Sequence, residues 1–149
     1  MLKSKKSNKM KNTLFVLFLM LSTTLFSQKI ETNSSCEVTY KVIRDSAFQI
    51  EQNDISERFE IDLKKKTVEI FHMDPYGDWN STFGVMKIKD STMNFKKRKG
   101  GFVEVFCPDT KKTLVIWVNL HDDNKFELYT YWKNESLVYF KNNLTVNIK

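Results

Sequence analysis

The chain has 149 residues, with 24 Lys and Arg against 18 Asp and Glu for a formal net charge of +6. Five of those lysines and none of the acids fall in the first 27 residues, leaving 19 basic against 18 acidic groups, or +1, in the remaining 122. The basic excess therefore gives no argument for nucleic acid as a partner, and 13% aromatic residues with only 4 Gly and 2 Pro exclude a low-complexity or disordered chain.

The N-terminal segment begins with Lys3, Lys5, Lys6, Lys9 and Lys11. A 13-residue, mostly apolar run from Leu14 to Phe26 follows, and small Ser27 precedes Gln28. Charge, length and order are those of a secretory leader over residues 1–27, with cleavage after Ser27, or alternatively after Thr24. The run is short of the roughly 20 apolar residues that span a bilayer, so no transmembrane anchor is expected once the leader is removed. The predicted location is periplasmic or secreted, and residues 28–149 are predicted to form a single domain.

Along that domain, Gln28–Ser35 is polar and predicted to be irregular. Glu37–Ile43 alternates, which predicts a first strand with Val38, Tyr40 and Val42 inward and Glu37, Thr39 and Lys41 outward. Ala47–Gln52 reads as a short strand or a connection. A hairpin is predicted from Arg58–Leu63 and Lys66–Phe71, one face apolar (Phe59, Ile61, Leu63, Val68, Ile70) and the other wet. Asp74-Pro75-Tyr76-Gly77-Asp78 interrupts the pattern, since Pro removes an amide donor and Gly permits positive φ. Phe83–Lys89 and Thr92–Lys97 suggest a second hairpin with Met86, Ile88, Met93 and Phe95 inward; the basic run Lys96–Lys99 reads as a solvated turn.

Phe102–Phe106, Thr113–Leu120 and Phe126–Trp132 follow, joined by short polar turns, and predict three consecutive antiparallel strands at the centre of the sheet. The middle one, TLVIWVNL, is apolar on both faces: Leu114, Ile116, Val118 and Leu120 on one, Val115 and Trp117 on the other. Such a strand is expected to be covered on both sides. Leu137–Phe140 and a closing strand through Leu144, Val146 and Ile148 complete nine to eleven strands. No segment carries a 3.6-residue period. The prediction is an all-β, single-domain antiparallel meander of about 8–11 strands, closed as a small barrel or folded as a β-sandwich. In strand count and length this resembles lipocalin-like barrels, in shape only, since the sequence motifs of that group are missing.

Cys36 and Cys107 are the two cysteines. In an oxidising compartment they allow one disulfide, which would close a loop of about 70 residues and stabilise by roughly 4 kcal/mol. The most informative pattern is the second face of the central strands: Phe102 and Phe106, then Trp117, then Tyr129 and Tyr131, with Glu104 between the two phenylalanines and Phe140 on the next strand. Rings with one carboxylate suit a small apolar or aromatic ligand; the same rings on an outer surface would instead suit a protein partner.

His72 shares the parity of Val68 and Ile70, and His121-Asp122-Asp123-Asn124 has no zinc spacing. Asp74, Asp78 and Asn80 lack the acid spacing of a calcium loop. No metal or cofactor is expected, and no phosphate loop, nucleophile elbow or H-E-x-x-H motif is present. The predicted function is a non-enzymatic exported binding module using Phe102, Glu104, Phe106, Trp117, Tyr129 and Tyr131. A protein-interaction domain is the alternative, and a hydrolase using Glu69, Glu104 or His72 a weaker third.

Overall fold

A computed structural model describes residues 29–93, 100–121, 125–142 and 144–149. The predicted leader, inward Phe95, the basic run 96–99 and residues 122–124 lie outside them. The described chain forms ten strands: β1 (Lys29–Ile43), β2 (Ser46–Asp62), β3 (Thr67–Met73), β4 (Trp79–Ser81), β5 (Met86–Ser91), β6 (Gly101–Cys107), β7 (Lys112–Leu120), β8 (Phe126–Trp132), β9 (Leu137–Asn142) and β10 (Thr145–Ile148). Arg44, Lys66, Lys111 and Asn134 hold positive φ of 55°, 56°, 56° and 70°. Each sits in the turn of one hairpin, the left-handed step that reverses a two-residue connection at Arg44 and a four-residue connection at the other three.

All pairings are antiparallel, and their order is β10-β1-β2-β3-β5-β6-β7-β8-β9 with β9 returning to β1. Eight strands, β1, β2, β3, β5, β6, β7, β8 and β9, therefore close a ring of hydrogen bonds. β10 pairs with the first half of β1, and β4 with the second half of β3. The ring is irregular: β3 and β5 share only Thr67↔Lys87 and Val68↔Met86. The all-β meander read from the sequence holds. No helix of the described residues is long and apolar enough to cross a membrane.

β7 takes the expected middle position, paired over seven residues with each of β6 and β8. Val103, Ile116 and Thr130 lie abreast with their side chains inward, while Phe102, Trp117 and Tyr129 lie abreast on the outside. The interior is filled by Phe59, Ile61, Val68, Met86, Val105, Leu114 and Leu128, among others, all nearly free of solvent. The outer flank of β7 departs from expectation. Val115 is buried there, but Trp117 stays 39% exposed, because among the described residues every strand belongs to the one sheet and none forms a second layer outside it.

Three further expectations are corrected. Residues 29–34 are not irregular but form the first half of β1, where Ile30 and Thr32 face Ile61 and Phe59 across β2. In the second half, Val38 and Tyr40 face outward and Glu37 and Thr39 inward, the reverse of the predicted phase. Val38 pairs with outer Phe140 and Glu37 with inner Lys141. Thr32 and Glu37 both face in although five residues apart, so alternation breaks between them, at the β1/β2 register shift between Ser34 and Cys36. Finally, Cys36 and Cys107 form no disulfide. Both thiols are free and buried, on β1 and β6, with β2, β3 and β5 between those strands around the ring. Cys107 behaves as a small apolar core residue.

Candidate functional site

The six predicted site residues share one face, and it is the outer one. Phe102 stacks on Trp117 (centroids 5.8 Å apart, planes at 21°), and Tyr129 stacks on Phe140 (4.9 Å, 30°). Register puts the four rings in one row across β6, β7, β8 and β9. Phe106 is 36% exposed under the ammonium of Lys89, and Tyr131 is half-buried opposite Val115. Glu104 is bound by Lys133 Nζ at 3.1 and 3.2 Å, so this carboxylate has found its cation on the surface.

Polar groups trim the same row. Trp117 Nε1 donates to Asn119 Oδ1 at 2.6 Å, and His121 Nε2 lies 3.0 Å from Glu127 Oε2. That contact with His121 is the main reason the Glu127 carboxyl sits below its ordinary range, against the opposing effect of burial. Partial burial, and then Glu127, push the Tyr129 hydroxyl up.

The other singled-out groups do not converge. Glu69 and His72 lie on opposite faces of β3 by alternation, and Glu104 on β6 is separated from both by β5. His72 Nδ1 rests 3.3 Å from Thr82 Oγ1 at the rim. The Asp74 carboxylate is occupied by the amides of Tyr76 and Asp78 and by Asn80 Nδ2, which shapes the loop and lowers its pKa. Among the described residues, no group of three metal-binding side chains converges.

A second constellation, which the sequence reading missed, lies inside one end of the ring. Lys141 on β9 is directly opposite core Leu128 on β8 and Glu37 on β1. Its side chain therefore points inward, and the residue is only 3% exposed. Its ammonium donates to Glu37 Oε2, and Glu57 Oε2 on β2 lies 2.6 Å away, at ion-pair distance without hydrogen-bond alignment. The rings of Phe59 and Tyr139 stand 5.8 and 5.9 Å from Nζ, close enough for a cation–π contribution.

These groups border a cleft of about 140 Å³, walled also by Thr130, Thr82, Phe83 and Trp132. Phe83 meets Trp132 edge-on at 5.6 Å. Here the ring opens, and charge and rings face a common space. A wider cleft of about 380 Å³ lies along the β3–β5 seam, lined by Leu63, Lys66, Ile88 and Met93, and holds no comparable convergence of charge and rings. The legible signal for the mouth was parity: in LVYFKN, Tyr139 and Lys141 share a face, and any strand placed beside β8 sends one of its two faces inward. Comparison with protein-family models, with curated proteins and with solved structures finds no match.

Proposed function

We propose that the protein is a non-enzymatic binding module that takes a small apolar or aromatic ligand into the mouth of its β-ring. The observation that carries this reading is Lys141, buried between Glu37 and Glu57 in an aromatic-walled cleft. Taking such charges out of water costs several kcal/mol per ion, and apolar residues of the same volume would stabilise a fold at least as well. A buried triad beside an open cleft is therefore better explained by binding than by stability. Apolar cavities of about 150 Å³ accept a benzene-sized guest, which sets the scale for this one.

The three tryptophans make the test specific. Titration with benzyl alcohol should shift the indole N–H resonance of Trp132 saturably and leave that of Trp117 in place. Thr82→Trp, at an exposed rim position, should abolish the shift without unfolding the protein. A Trp132 signal that does not move, or moves equally in Thr82→Trp, would remove the reading.

A second reading rests on its own observation, the half-exposed ring row Phe102, Trp117, Tyr129 and Phe140 on the outer face. Large amphipathic rings on a rigid sheet suit a protein partner. An envelope extract should then yield one defined partner with the wild type and lose it with Trp117→Ala. Both readings include export, supported by the basic start and the 13-residue apolar run. Sequencing of the secreted chain should begin at Gln28.

A further inference from the structure

We infer that the ligand of the mouth is a small organic cation, an ammonium or amidinium on a compact apolar or aromatic body. This rests on the reading of the mouth as a binding site and names its ligand class. The mouth holds two carboxylates and one ammonium, a formal charge of −1. Their accessibility is unequal: the Lys141 side chain is 4% exposed, those of Glu37 and Glu57 16% and 26%. What the triad leaves open to a guest is glutamate side chain, with the lysine almost wholly covered.

Hydrogen-bond capacity points the same way. Each carboxylate offers about four acceptor positions, and among the described residues the aligned hydrogen bond from Lys141 goes to Oε2 of Glu37, while Oε2 of Glu57 has no hydrogen-bond partner. Lys141 is thus a positioning residue: it holds two like charges beside the cleft and neutralises one of them. The walls agree with that charge, because the faces of Phe59, Tyr139, Phe83 and Trp132 carry negative quadrupole density that attracts cations. An anion would have to displace Glu37 or Glu57 to reach Lys141. A neutral ring gains apolar contact but leaves the acceptors unused.

The probes are benzylammonium, benzyl alcohol and benzoate, which share one ring and one short arm and differ in charge, each titrated into the full domain at pH 7. Benzylammonium is expected to bind at least tenfold more tightly than benzyl alcohol, and benzoate not measurably. Glu57→Gln should erase the advantage of the cation while leaving benzyl alcohol affinity within about twofold, which a collapsed mouth would not do. Binding of benzoate as tight as that of benzylammonium, or a cation advantage that survives in Glu57→Gln, would overturn the ligand class with the mouth still standing as a site. Failure of all three probes to move the Trp132 resonance would overturn the mouth itself, and the ligand class with it.

Discussion

Lys141 shows how one residue separates stability from function. Removing one partner of a buried ionic group leaves the others uncompensated, and such losses run to about 3–5 kcal/mol. Lys141→Met should therefore lower the urea-unfolding free energy by about 3 kcal/mol, since Glu37 and Glu57 keep some contact with water. Replacing all three, as Glu37→Gln, Glu57→Gln and Lys141→Met together, should restore stability to within about 1 kcal/mol of wild type while abolishing the preference for a cation. A triple variant as unstable as Lys141→Met would make the triad a structural element.

Glu127 carries a separate, pH-dependent contribution. Its carboxyl is held below the ordinary 4.5 by His121, so near pH 4 the unfolded chain binds more protons than the folded one. The stabilisation is present above pH 4.5 and is lost as pH falls through the lower, folded value. Glu127→Gln should flatten the fall of stability below pH 4.5 in acid titrations followed by circular dichroism. An unchanged slope would mean the pair is too solvated to contribute.

At the scale of the element, β1 is where the mouth is made. The break in its alternation turns Glu37 inward, and Ser34 holds it: the hydroxyl lies 3.0 Å from the Cys36 carbonyl and 2.7 Å from that of Asn142. Irregularities of this kind re-aim side chains at sites. Ser34→Ala should cost about 1 kcal/mol for the lost hydrogen bond. It should also weaken ligand binding, because Glu37 is no longer held in phase; affinity equal to wild type would show that β9 alone positions it.

This explains what the sequence could and could not reveal. The alternation of Glu37–Ile43 was legible as a period, but its phase was set by the break before it and by the distant partner Lys141. Asn33, Ser34 and Ser35 suggested irregular chain because polar residues favour turns, yet pairing on both sides holds most of this segment in the sheet. β6, β7 and β8 were legible in order and in which residues share a face, because short turns and an alternating apolar face fix both at once. The aromatic row was read as one face, correctly, but which side of the ring it would occupy depended on closure.

For the molecule as a whole, closure is the long-range event. β6, β7 and β8 are joined by short connections, whereas the β1–β9 seam brings together residues about a hundred positions apart, such as Val38 and Phe140. The tip of the β1–β2 hairpin takes little part in the core, leaving Val42, Ile43, Phe48 and Ile50 exposed. Loop-closure entropy must be overcome before a non-local seam is rewarded, so local hairpins are expected to order first and the seam last. The consequence is kinetic. Ile116→Val, at a fully buried position of β7, should lower the folding rate in proportion to its loss of about 1 kcal/mol. Val38→Ala, at the seam, should leave the folding rate nearly unchanged and raise the unfolding rate instead. Chevron plots of the two variants in urea separate these outcomes. A folding limb slowed as much by Val38→Ala as by Ile116→Val would mean that β1 and β9 already meet in the transition state, and that the ring forms around its seam and not around β7.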